Sequence, residues 1–396
     1  MILELRDDLA AFRVAVREWL AQEVPQGWRA ESAAEESDAT VRVQRDWIRK
    51  LHSVGLAIAH WPSTVGGTGL GLVHQIIIAE ENARANAPAL SAYIVSLNHV
   101  PATLLAWGSD EQKRRYLPTV AQGAIWCQGF SEPNAGSDLA ALRTQAVRDG
   151  DHYVVTGQKI WSSQSMHADY CILLARTSSE GKKQAGITYF VLDMHAPGIE
   201  VRPIRQSNGR AEFGELFLHE VRIPVADRVG AENAGWAVAQ STLAAERGVL
   251  ALEGMERHRY LLEAFHSRAV TEGAAWLGDA AARREFVTLF AELQATRRMI
   301  RKLLHEADHN DAHGQRSFSM TPSIVKVVNT MLKKRVGEFM VRCASARGQF
   351  DLGGHQLPEV NPMLEYVTSF GLVIAAGTNE IQRNLIAERG LGLPRS

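Results

Sequence analysis

The periodicity of apolar residues changes twice along this chain of 396 residues, and that double change constrains its fold more than any other feature. From residue 1 to about 123, Leu3, Leu9, Phe12, Val16 and Leu20 recur at helical spacing, and the runs 41–51, 72–87 and 91–107 continue the pattern. Pro88 breaks the last two apart, Ser109-Asp110 ahead of Glu111 reads as a helix start, and Trp61-Pro62 with Gly66-Gly67-Thr68-Gly69 read as connectors. From about 124 to 236 the segments shorten and fill with Val, Ile, Thr and Tyr. Strands are expected over 153–156, 170–174, 187–192 and 216–221, and Asp149-Gly150-Asp151 is a hairpin signal. From about 237 onward long helices return, over 236–266, 280–309, 321–346 and 363–374, with Pro322 one residue into its helix, where proline is tolerated. The expected fold is α+β. It has an all-helical N-terminal domain over 1–123, a central antiparallel β-barrel or sandwich over 124–236, and a C-terminal four-helix bundle over 237–396.

Charge excludes some functions. Lys plus Arg number 43 and Asp plus Glu 44, a formal net charge of −1, so no global field favours nucleic acid or a membrane surface. The three cysteines, Cys127, Cys171 and Cys343, form no CxxC pair; a disulfide framework or structural metal is not expected, and a reducing cytoplasmic compartment fits. The first residues carry Glu4, Asp7 and Asp8, and so read as an amphipathic helix rather than a targeting segment. No apolar run reaches the length of a membrane span.

Three stretches carry chemistry. Trp126-Cys127-Gln128-Gly129-Phe130 is a short strand that runs into Ser131-Glu132-Pro133-Asn134-Ala135-Gly136-Ser137-Asp138-Leu139. This loop has hydroxyls and a bare glycine, and its free amides can cradle a phosphate. The same loop reads equally as a plain connection with Asp138 as a helix cap. In Gly157-Gln158-Lys159-Ile160-Trp161-Ser162-Ser163 an indole sits beside two hydroxyls, which suits a flat aromatic ligand, although a strand tryptophan is usually core. Ala375-Ala376-Gly377-Thr378-Asn379-Glu380-Ile381-Gln382-Arg383-Asn384 places a glycine at a helix N-terminus, either a polar-ligand site or an ordinary capped helix.

Together, in this order and at these separations, the three stretches resemble the acyl-CoA dehydrogenase family, and the resemblance spans nearly the whole chain. It implies FAD in extended form between the β domain and the C-terminal bundle. Gln128, Phe130 and Ser131 would line the pyrimidine side of the ring system, and Ser137 would bond the pyrophosphate. Trp161 would cover the face away from substrate, Ser163 would bond near N5, and Thr378 and Glu380 would reach the cofactor from the last helix. Donors at the pyrimidine end suit a ring that accepts hydride.

The implied reaction is α,β-dehydrogenation of an acyl-CoA thioester to the trans-2-enoyl-CoA, which needs a carboxylate base. The commonest family position for it holds Ala376 here, whose backbone N–H still serves as an oxyanion donor. Part of the family carries the base in a Glu-Arg pair on the first long C-terminal helix. Glu246-Arg247 stands at the matching place, so Glu246 is expected as base, with Arg247 organising the substrate end. Without the flavin motifs this pair would read as a solvated helix face. The family's Arg-x-x-Phe-Gly segment, whose arginine reaches a neighbouring subunit's FAD, is absent from 267–276, where only Arg268 remains. The resemblance therefore implies either a homodimer or homotetramer, or a hetero-oligomer with a related chain, and electron-transfer flavoprotein as acceptor. Two competing readings remain: a flavin monooxygenase or oxidase on the same scaffold, and a non-catalytic subunit of a heteromeric acyl-CoA dehydrogenase. Ala376 is compatible with branched, cyclic or steroid-like acyl groups.

Overall fold

The computed structural model describes residues 2–28, 37–244, 249–312, 320–344 and 361–394. Helices, then a mostly antiparallel sheet, then helices follow one another along the chain, which is the expected fold class. By contact the chain divides into two compact units, Met1–Glu35 with Leu70–Pro88 and Arg247–Ser396, and Glu36–Gly69 with Ala89–Glu246.

In the first unit, α1 (Leu9–Glu23) starts where Asp8 accepts the amides of Ala10 and Ala11, each at 3.0 Å. Its residues Phe12, Val16 and Leu20 recur every four positions and are buried. Helix α3 (Leu72–Arg84) packs on α1. The same unit contains α7 (Val249–Glu272), α8 (Ala280–Ala312), α9 (Thr321–Cys343), α10 (Pro362–Ile374) and α11 (Asn379–Leu385). Leu252, Met255, Leu262 and Phe265 of α7 meet Leu289, Leu293 and Ile300 of α8 and Leu332, Val336 and Phe339 of α9 in one core. Each such side chain contributes about 1.5–3 kcal/mol on burial.

The second unit holds α2 (Ser37–Ser53), α4 (Val100–Trp107), α5 (Asp110–Ala121), α6 (Gly235–Ala244) and the sheet. Ser109 and Gln112 form a reciprocal capping box that starts α5 where the sequence placed a helix start. The run 91–107, expected as one helix, is a 3-10 turn (Ser91–Tyr93), a π-helical turn (Val95–His99) and then α4. Pro101 has no amide to close the helical bond onto Leu97, and the widened turn lies immediately before it.

The sheet's strands are β1 (Trp126–Gly129), β2 (Gln145–Asp149), β3 (His152–Ser163), β4 (Tyr170–Arg176), β5 (Ile187–Asp193), β6 (Ile199–Ile204), β7 (Phe213–Pro224) and β8 (Arg228–Val229). Their order is β6-β7-β3-β2-β4-β5-β8, with β1 added on β4. The pairings are antiparallel except β1 with β4 and a single β2 to β4 contact, which are parallel. Gly150, at φ +61°, turns the β2–β3 hairpin. The helix expected over 236–266 is described as α6 and α7, and residues 245–248 between them, with Glu246 and Arg247, lie outside the described residues.

Candidate active site

The β1 edge is set by close packing. A Cβ on Gly129 would lie 2.9 Å from Cys171 Sγ and from a Leu173 methyl, so glycine lets β1 lie this close to β4 without those side chains giving way. The next residue, Phe130, is buried edge-on against Tyr189 with ring centroids 5.7 Å apart. Half-buried Ser131 is held by its carbonyl, which accepts the Ile160 amide at 2.9 Å. Gln128 Nε2 is buried and has no hydrogen-bond partner among the described residues. Beyond Glu132, the side chains of Pro133, Asn134, Ser137 and Asp138 are exposed. Asp138 caps no helix with its side chain; it pairs with Lys183 at 2.7 Å.

Beneath this edge lies a pair that motif reading passed over. Lys159 is 0% exposed, and its Nζ donates to Glu132 Oε1 at 2.8 Å and to the Phe130 carbonyl at 3.2 Å. Burial pushes the Lys159 ammonium below its ordinary pKa against the pull of Glu132. Burial pushes Glu132 up, but the Lys159 charge and the donors around it outweigh that and hold it below the usual carboxylate range.

Trp161 stands on irregular backbone. Between Lys159↔Leu216 and Ser162↔Gly214, β3 advances three residues while β7 advances two, so β3 carries a bulge. Trp161 sits in that bulge at φ +61°, and its side chain is 56% exposed. A left-handed non-glycine residue costs on the order of 1–2 kcal/mol. Strain combined with an exposed indole is a combination that folding alone does not favour, and such outliers cluster at ligand sites. Next to it, Ser162 is fully buried with its Oγ unpartnered among the described residues, and Ser163 is half-buried opposite Phe213. Gln128 on β1 and Trp161 and Ser163 on β3 thus share one sheet, Phe130 and Ser131 follow directly after β1 and are bonded to β3, and Ser137 lies out on the exposed loop.

In the same unit, Thr103 and Thr242 share a hydrogen bond of 2.6 Å, and the Tyr189 hydroxyl lies 3.3 and 3.2 Å from them. Trp107 Nε1 donates to Ser241 Oγ at 2.9 Å. These bonds fix the last turns of α6, which ends at Ala244.

The third motif lies in the first unit. Ala376 is exposed at φ +55° and Gly377 follows at φ +78°. Thr378 then caps α11 by accepting the Ile381 amide at 3.2 Å, while buried Gln382 reaches back to the Ala376 carbonyl at 3.2 Å. Asn379 anchors the helix to α9, accepting from Lys326 Nζ at 2.8 Å and Thr330 Oγ1 at 3.1 Å. Glu380 is exposed and pairs with Arg383. On α7, Arg268 is exposed and paired with Glu272 at 2.7 Å within its own helix.

Models of the N-terminal, middle and C-terminal domains of acyl-CoA dehydrogenase match residues 6–124, 127–221 and 233–391. The acyl-CoA dehydrogenase IpdE1 of Mycobacterium tuberculosis (strain ATCC 25618 / H37Rv) is 34% identical over 398 residues, covering 98% of this chain and 98% of its own. Among solved structures, the Tcur3481-Tcur3483 steroid ACAD has a TM-score of 0.85 at 28% identity over 98% of both chains. The ChsE4-ChsE5 complex from Mycobacterium tuberculosis has a TM-score of 0.79 at 29% identity, over 99% of this chain and 98% of that one.

Proposed function

The chain belongs to the acyl-CoA dehydrogenase family of oxidoreductases, and from that premise we propose that it carries out FAD-dependent α,β-dehydrogenation of an acyl-CoA thioester with Glu246 as the base. The observation that carries this reading is Trp161, an exposed indole held on left-handed backbone in the bulge of β3. An uncovered flat ring on strained backbone fits a planar ligand such as an isoalloxazine.

FAD, when bound, supplies the acceptor for the β hydrogen as hydride. The protein does the rest. Gln128, Phe130 and Ser131 would line the pyrimidine end, and Trp161 would shield the face away from substrate. Ser163 would bond near N5, Ser137 would bond the pyrophosphate, and Thr378 and Glu380 would reach the cofactor from α11. Glu246 removes the α proton, Arg247 orients the substrate end, and the Ala376 amide polarises the thioester carbonyl.

Two finer points belong to the same proposal. The acyl group is branched, cyclic or steroid-like: the Ala376 side chain is a single methyl where a carboxylate commonly stands, and one structural relative is named a steroid ACAD. The working assembly includes a second, related chain. The segment 267–276 lacks the cross-subunit arginine motif, Arg268 is already engaged by Glu272, and another structural relative was solved as a complex of two named chains. Electrons then pass to electron-transfer flavoprotein.

Anaerobic titration of the FAD-loaded protein with a panel of acyl-CoAs, followed by flavin absorbance, tests the reaction. Bleaching by bulky acyl-CoAs is expected, and no bleaching by any thioester refutes it. Native mass spectrometry tests the assembly, since a full complement of FAD on the lone chain would refute the need for a partner.

A further inference from the structure

We propose that Lys159 and Glu132 form a latch that shapes the cofactor-facing edge of β1 and its loop before any ligand arrives, which makes them positioning residues for FAD. The proposal rests on the cofactor reading above and extends it to two residues that touch no substrate.

Besides the latch, the near end is held only by backbone bonds, from the Ile160 amide to the Ser131 carbonyl at 2.9 Å and between Glu132 and Ala135 at 3.1 and 3.0 Å, among the described residues. Between Pro133 and Asp138 the only buried side chain is the single methyl of Ala135. Apolar burial therefore cannot define its shape. Charge and hydrogen bonding do so instead. Lys159 Nζ fastens the Phe130 carbonyl at 3.2 Å and Glu132 Oε1 at 2.8 Å. The Glu132 carboxylate in turn accepts the amide of Arg143 at 2.7 Å and that of Thr144 at 2.8 Å. One ion pair thus ties residues 130–132 to residues 143–144 across the neck of the loop. A second staple closes the far end, where Arg176 on β4 donates to the carbonyls of Ala140 at 2.8 Å and Leu142 at 3.0 Å.

A buried ion pair is a poor choice if stability alone is at stake, because apolar residues of similar volume often stabilise as well or better. What an apolar pair cannot do is bond three main-chain groups at once. The Phe130 carbonyl and the Arg143 and Thr144 amides would lose their partners while the strands stayed packed. The latch accordingly contributes geometry at Gln128, Phe130 and Ser131, where a displacement of even an ångström weakens a bound ring system.

The experiment separates geometry from stability. The double variant Lys159→Met/Glu132→Leu, expressed as the full chain with whatever partner chain the wild type needs, should still fold, melting below wild type because three main-chain groups lose their partners, and its FAD binding is measured well below that melting temperature. It should bind FAD at least tenfold more weakly, with an altered visible circular dichroism of the bound flavin. A double variant with wild-type FAD affinity and an unchanged visible spectrum overturns the latch. Should the variant fail to fold, hydrogen exchange on FAD-free wild type decides the matter. The Arg143 and Thr144 amides should be protected to the same degree with and without FAD, and protection that appears only on adding FAD overturns the proposal. A wild type that takes up no FAD at any concentration overturns the cofactor reading itself, and this role for the latch with it.

Discussion

Trp161 stands edge-on to Phe213, their ring centroids 6.1 Å apart and their planes at 78°, while its own backbone holds φ at +61°. Phe213 supports one edge of the indole and leaves 56% of the residue in solvent. The strain and the exposure separate two substitutions that would otherwise look alike. Trp161→Ala keeps a Cβ on a left-handed residue, whereas Trp161→Gly does not. The glycine variant is expected to be more stable than the alanine variant by about 1 kcal/mol, read as a higher melting temperature of the FAD-free protein. Both should bind FAD more weakly than wild type. Equal stabilities would mean that the backbone at 161 is not left-handed, and wild-type FAD binding by both would remove the indole from the site.

Glu246 is tested by the loss of one charge. Glu246→Gln keeps the shape and cannot accept the α proton. It should still bind acyl-CoA, seen as a spectral perturbation, yet reduce its flavin about 10²–10⁴-fold more slowly than wild type. Reduction at the wild-type rate would move the base elsewhere, while loss of acyl-CoA binding would make Glu246 a binding group. The anchoring of α6 by Thr103, Tyr189 and Thr242 gives a companion test four residues upstream. Thr242→Ser keeps a hydroxyl there and should retain activity, whereas Thr242→Val should not.

Local signals were readable where local forces decide. The two changes of periodicity located the helical and β segments, and Ser109 announced the start of α5 because a capping box closes within four residues. The indole at 161 was recognisable as a flat face, but its bulge was not, since the register slip is a property of β3 against β7 and not of either strand alone. The Lys159–Glu132 pair joins residues 27 apart, and the Thr103–Thr242 bond spans 139. Nothing in either neighbourhood encodes such a partner. The association of Leu70–Pro88 with the C-terminal helices is likewise a matter of contact, invisible to a reading that divides the chain by texture.

Gly337 tests the packing of α9 on α10. A Cβ there would meet the Tyr366 backbone at 2.8 Å, and backbone yields far less than a flexible side chain. Alanine favours helix over glycine by about 1 kcal/mol, so on an open face Gly337→Ala would stabilise. Here overpacking, typically 1–3 kcal/mol, should win, and the variant should melt below wild type. A higher melting temperature would show that the helices separate at little cost.

Glu81 makes the last prediction. It is 3% exposed on α3 and accepts from Arg13 Nη1 and Arg17 Nε on α1, each at 2.9 Å, with Arg84 at 3.6 Å. Burial pushes its pKa up, but the hydrogen bonds from Arg17 and Arg13 outweigh that and leave it below its ordinary value of 4.5. A carboxylate depressed in the folded state contributes stability that is complete above the ordinary value and disappears as the pH falls through the folded one. Breaking a fully buried pair costs about 3–5 kcal/mol. Arg13 and Arg17 are 35% and 44% exposed, and solvent screening reduces the expected cost of Glu81→Gln to about 1–2 kcal/mol. The variant should melt a few degrees lower at pH 7, and the gap to wild type should narrow as the pH drops below 4.5. A gap that stays constant with pH would mean that the loss reflects packing of α1 on α3 rather than the charge of Glu81.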